Sequence, residues 1–170
     1  MSTSGLLIPA LALAVAIPPP IPPPDADRMA IALELWRSEP IHDYYRTLAL
    51  TEAAGELAHG VLGTAGVRFA SRRYVDELNS IQTRLLADAK SAAPALSEQT
   101  LGCLAEPFAR ELDVGQLQAL KDFVATKDGA AFWTVNVAVN WSRLKGCYKA
   151  ALRDRSGHRL QREVERLQRR

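Results

Sequence analysis

The chain has 170 residues, 48% of them hydrophobic and 24% charged, with a formal net charge of +2. That length fits one domain with tails. A chain of this size buries roughly 70% of its unfolded surface, so folding demands neither a metal nor a dense disulfide framework. The charge is unevenly placed. Positions 153–170 hold seven Arg against three acids, while positions 1–152 hold 14 Lys or Arg against 16 Asp or Glu. The basic character belongs to the end of the chain, which argues against a nucleic-acid-binding core. Alanine is abundant and β-branched runs are scarce, which favours helix over strand.

Gly5 to Ile17 is an uncharged, mostly apolar run, GLLIPALALAVAI. It is too short for a bilayer, which needs about 20 residues, and suits the hydrophobic region of a secretory signal peptide. Ala14-Val15-Ala16 supplies a small-x-small cleavage site. No Lys or Arg precedes the run, so only the amino terminus offers positive charge. The expectation is a signal peptide over 1–16, export, and a periplasmic location. Pro18 to Pro24, PPPIPPP, can only be extended polyproline II or turns. Residues 17–27 are expected to be a Pro-rich spacer, with recognition by an aromatic groove as the alternative.

From Asp25 the apolar spacing is helical. Asp25 and Asp27 suit the start of a helix running towards Trp36, with Met29, Leu33 and Trp36 on one face. Ser38-Glu39-Pro40 restarts a helix, whose inner positions would be Ile41, Tyr44, Tyr45, Leu48, Leu57 and Val61, ending at Gly60 or Gly63. Tyr74 to about Ala92 is amphipathic, with Val75, Leu78, Ile81, Leu85 and Ala89 inward. Pro94 is expected to end it, and Ser97 to cap the next helix, with Leu96 and Leu101 as its hydrophobic staple. Leu101, Leu104 and Phe108 would face inward, and Pro107 would kink or break that helix. Asp113 and Gln116 form a capping box, with Leu112 and Leu117 at staple spacing and Leu117, Leu120 and Val124 inward. After a turn at Thr126-Lys127-Asp128-Gly129, one long helix is expected from about Ala130 to Asp154. The fold class is therefore all-α: a compact bundle of about six helices over 28–152, a long C-terminal helix, an extended Pro-rich N-terminal segment and a basic helical tail over 153–170.

The segment Leu112–Trp133 resembles an exported bacterial family named domain of unknown function 2059. The matching residues are Gln116, Leu117, Leu120 and Phe123, followed by the turn Thr126-Lys127-Asp128-Gly129. In this chain Thr-Lys replaces the family's Ser-Pro, and Gln its Glu. The resemblance implies a small helical domain behind a signal peptide and transfers no catalytic residue.

Candidate sites are few. On the expected long helix, Trp133, Val137, Trp141, Leu144 and Tyr148 make one stripe. Phe132, Val135 and Val139 lie on the other flank, with Asn136, Asn140 and Cys147 between. An apolar arc of roughly 240° describes a helix surrounded by neighbours. Asn136 and Asn140 would then either satisfy neighbouring backbone or line a ligand pocket walled by Trp133 and Trp141. Glu56-x-x-His59 is half of a di-iron bundle motif without its second half. His42 and Asp43 are adjacent but do not face each other on a helix. No phosphate loop, zinc motif or nucleophile elbow occurs, so no catalytic residue, cofactor or metal is expected. In the tail, Leu160, Val164 and Leu167 share a face. Arg159, Arg162, Arg166, Arg169 and Arg170 are candidates for docking an envelope protein or an anionic membrane surface. Cys103 and Cys147 match no zinc spacing. An even cysteine count in an exported chain, with both residues near inner faces, points to a disulfide between them. The function expected is a non-enzymatic binding or interaction module in the cell envelope, or else a carrier of a small apolar ligand.

Overall fold

A computed structural model describes residues 23–38 and 43–169, without the side chains of Ala138 and Val139. The expected signal peptide, residues 17–22 of the Pro-rich spacer, the expected helix restart at Glu39, Pro40 and Ile41, His42 and Arg170 lie outside the described residues. Within them every regular element is helical: α1 (Ala26–Ser38), α2 (Asp43–Thr64), α3 (Arg72–Ser91), α4 (Ala93–Glu111), α5 (Val114–Val124), α6 (Lys127–Val139) and α7 (Trp141–Gln168).

Local chemistry sets most of the boundaries. The Asp25 carboxylate accepts from the backbone N–H of Asp27 at 2.9 Å, opening α1. α2 runs past Gly60 and Gly63 and stops where Gly66 adopts φ +70°. There the N–H of Val67 donates to Leu62 O and that of Gly66 to Gly63 O, a left-handed cap that glycine adopts without strain. Ser71 caps α3 by accepting from Tyr74 N at 3.1 Å. Asp113 and Gln116 close a reciprocal capping box on α5, as the spacing predicts.

Several expectations are corrected. Ser97 lies inside α4, whose first turn holds Pro94; Pro94 therefore opens α4, with only Ala92 separating it from α3. A proline needs no donor in a first turn, so the residue that looked like a stop acts as a start. Pro107 does not end α4, which continues to Glu111. Lys127 to Gly129 belong to the first turn of α6, capped by Thr126. Finally, the long helix is interrupted at Asn140 (φ −88°, ψ 26°) and then runs without a break through Arg153 and Gly157. The interruption makes seven helices among the described residues where the spacing pointed to about six.

α7 organises the packing. Lys145 pairs with Glu52, Lys149 with Glu56, and Gln168 reaches Thr64 O, so α2 and α7 run parallel. On another side, Arg166 meets Glu77, Arg159 meets Asp88, Asp154 accepts from Gln99, and Cys147 meets Cys103. These links descend α7 as the chain climbs α3 and then α4, so α3 and α4 lie end to end, antiparallel to α7. α1 covers α4, with Arg37 on Glu98, and α5 covers α1, with Lys121 on Glu34. The core between them is rich in small residues on α2, where Ala49, Ala53, Ala54 and Ala58 are all fully buried beside Leu57, Val61 and Leu62. Tyr44 and Leu48, expected inward, are exposed, as is Val75, whose place is taken by Tyr74.

Cys103 and Cys147 form the expected disulfide, with Cα atoms 5.7 Å apart and 44 positions between them. In the chain-entropy account a loop of that length stabilises the fold by about 4 kcal/mol. The double variant Cys103→Ser/Cys147→Ser should lose that amount in urea melts, and a loss under about 1 kcal/mol would contradict the account. A second expectation concerns the α5–α6 turn. The carbonyl oxygen of Phe123 accepts from the N–H and the hydroxyl of Thr126, and a Cβ at Gly129 would lie 1.8 Å from that oxygen. Gly129→Ala must push the turn apart, and should lower stability by about 1–3 kcal/mol in the same melts.

Candidate functional site

Where α1, α4 and the α6–α7 junction meet, they enclose a cleft of about 300 Å³. Trp36, Leu104, Phe108, Val137 and Leu144 form its apolar wall, with Pro107 and Leu112 beside them. Glu111, Asn136, Asn140 and Arg143 supply the polar groups. Trp36, Phe108 and Trp133 make a three-ring cluster, with centroids 4.8 Å apart for the two indoles and 5.9 and 5.7 Å from each to Phe108. Such edge-on and tilted packing suits the ring quadrupoles. Both indole N–H groups of this cluster, on Trp36 and Trp133, are buried without an acceptor among the described residues. The side chains of Arg143 and Glu111 make no ion pair or hydrogen bond among the described residues either.

The structure brings Asn136 and Asn140 into this cleft but replaces its expected walls. Trp133 packs tilted against Trp36 and does not line the cleft, and Trp141 turns to α2, where its ring N–H donates to Glu52 at 3.2 Å. The two Asn are not in the middle of a buried surface: Asn140 is exposed and Asn136 half-buried. The Asn140 side-chain amide donates to the backbone oxygen of Asn136 at 3.0 Å and also to its side-chain oxygen. An Asn side chain that bonds nearby backbone competes with helix, and here it marks the break. The expected wide apolar arc fails for the same reason. Phe132 and Val135 are 55% and 62% exposed, so α6 is covered on one side only; the side chain of Val139 is not described.

Several of the remaining candidates enter ion pairs. Glu56 receives Lys145 at 2.7 Å and Lys149 at 2.8 Å. Hydrogen bonds from Lys145 and then Lys149 hold its carboxyl down at about 2, and the same contact raises Lys145. His59 faces away from that cluster, sharing a 2.5 Å hydrogen bond with the Tyr74 hydroxyl. Asp43 lies 3.7 Å from Arg46. Of the expected docking arginines, Arg159 pairs with Asp88 and Arg166 with Glu77 and Glu163, whose hydrogen bonds raise Arg166 further. Arg169 donates to the Glu165 carbonyl, and Arg162 is exposed. Leu167 is buried beneath them, and Leu160 and Val164 pack against the core.

Sequence spacing had placed Trp36, Leu104, Phe108 and Leu144 on inner faces, but not around a shared cleft, and had overlooked Glu111 and Arg143. No local signal joins them, because α1 meets α4 and α6 only through tertiary packing. The chain matches no family model, no curated protein and no solved structure. Its functional reading therefore rests on these residues.

The Glu56 cluster makes a pH expectation. Its folded carboxyl sits at about 2 against the usual 4.5. The stabilisation it contributes is therefore complete above pH 4.5 and fades as pH falls from there towards 2. Because the pair is partly solvent-screened, its size is about 0–1 kcal/mol. Glu56→Gln should be slightly less stable than the parent at pH 7, and the gap should close by pH 2; a gap that does not narrow on acidification would contradict this.

Proposed function

We propose that this chain is an exported, non-enzymatic binding domain that holds a small, largely apolar molecule in the cleft between α1, α4 and the α6–α7 junction. The observation that carries this is the cleft's chemistry. Ligand pockets are typically apolar, begin at about 300 Å³, and carry a few convergent polar groups. Here Trp36, Phe108, Leu104, Val137 and Leu144 supply the apolar wall, while Asn136 and Arg143 offer donors for one polar end of the occupant. Two buried indole N–H groups without acceptors add weight. Left unpaired, each such group costs about 1–3 kcal/mol. Periplasmic export is supported by the Gly5–Ile17 run, by the paired cysteines, which suit an oxidising compartment, and by the resemblance of Leu112–Trp133 to an exported family. The cleft favours a small-ligand carrier over a purely protein-docking module.

Anilinonaphthalene sulfonate, titrated into the purified full chain, should bind saturably and be displaced by decanoate. Leu112→Trp places a large ring at the cleft edge and should weaken both probes about tenfold or more. Equal binding by that variant would locate the probe elsewhere and overturn the proposal.

A further inference from the structure

The one-residue joint between α3 and α4 leaves a second depression, about 330 Å³, against the C-terminal half of α7. Its lining is about half polar, where that of the first cleft is mostly apolar. Along α7, arginines recur at Arg155, Arg159, Arg162 and Arg166, in steps of four, three and four, so they share a helix face. That face looks towards α3. Two of the four are matched there: Arg159 reaches Asp88 at 2.8 Å, and Arg166 meets Glu77. The side chains of Arg155 and Arg162 have no ion pair or hydrogen bond among the described residues, nor has that of His158. All three line the depression.

The acidic group in the same wall does not offset them. Asp88 Oδ1 is held by Arg159, and its Oδ2 accepts from the Ser156 hydroxyl at 3.4 Å. The carbonyl end of α3 is also muted, since Asp88 O accepts from the Ser91 hydroxyl at 2.8 Å and from Ala92 N at 3.1 Å. Two guanidinium groups and an imidazole therefore face one depression without a counterion. We propose that this notch binds the phosphate group of a small, soluble phosphomonoester. Arg155 and Arg162 donate to the phosphate oxygens from two helical turns, and His158 donates between them. Planar guanidinium forks match phosphate geometry and make the stronger, charge-assisted kind of hydrogen bond. The depression is several times larger than a phosphate ion, which leaves room for an organic part. A lipid headgroup is the other source of the same chemistry, but entry into a bilayer calls for exposed apolar side chains nearby. Those on this molecule, such as Phe123, Phe132 and Val135, are not among the notch residues.

The test titrates glycerol phosphate into the full chain at constant ionic strength, with glycerol as control, and follows the arginine side-chain N–H signals by NMR. Saturable shifts are expected for Arg155 and Arg162. Arg155→Gln and Arg162→Gln should each weaken binding about tenfold or more. Arg153→Gln, an α7 arginine that lines the α2–α7 groove instead, should leave it unchanged. Absence of saturation, or an equal loss in Arg153→Gln, would overturn the proposal by reducing the effect to general charge. Vesicles of phosphatidylcholine and phosphatidic acid form the last arm. Co-sedimentation that depends on Arg155 and Arg162, without any response to glycerol phosphate, would overturn the soluble ligand in favour of a membrane.

Discussion

α7 is 28 residues long and carries buried positions from Leu144 and Cys147 through Tyr148, Ala151 and Leu152 to Leu167. A helix of that length spans about 40 Å, and neither α3 nor α4 is long enough to cover it. Two partners solve the problem in different ways. α2 lies parallel to it, its fully buried alanines bringing little bulk to the core. α3 and α4 instead lie end to end and cover α7 in sequence, which is why their joint is a single residue. The Cys103–Cys147 bond then pins α4 to the N-terminal turns of α7, α1 is laid on α4, and α5 on α1. The register of α4 on α7 is the constraint from which the rest follows: it sets where Phe108 meets Trp36 and Trp133, and where Asp88 meets Arg159.

Features that depend on a few adjacent residues were legible from the chain. The capping box at Asp113 and Gln116 and the inward set Leu117 and Val124 involve signals that neighbours cannot easily overrule. The disulfide is long-range, and was legible because the chain holds only two cysteines. Features that depend on which side of a helix another helix chooses were not. Tyr44, Leu48 and Val75 are apolar at helical spacing yet face solvent, while four alanines of α2, easily taken for neutral filler, are the residues actually packed. Pro94 and Ser97 show the ambiguity in its simplest form. A proline following a helix can stop it or begin the next, and only the close approach of α3 to α4 decides. The Asn136–Asn140 pair stands out in the sequence as two amides in an apolar stretch. The expected continuous helix hid their role, which is to satisfy the end of α6 at its own break.

Composition also misled in one respect. Seven arginines in the last eighteen positions look like a detached cationic tail. In the folded chain Arg159 and Arg166 answer Asp88 and Glu77 on α3, and Arg84 answers Glu163 across the same interface. Two of those arginines therefore have a counter-charge more than sixty positions away in sequence. What distinguishes Arg155 and Arg162 is not their charge but that no acid among the described residues pairs with them, a property invisible until α3 is placed.

The disulfide has a further meaning for the apolar cleft. Apart from Trp36, every residue lining that cleft falls between Cys103 and Cys147. The cleft is thus almost wholly the property of a covalently closed ring, comprising the end of α4, all of α5 and α6, and the start of α7. A protease that cuts once inside this ring, at the Ala125–Thr126 turn for instance, separates no fragment, because both new ends remain tied through sulfur. A cleft carried on such a ring is one that tolerates a nick.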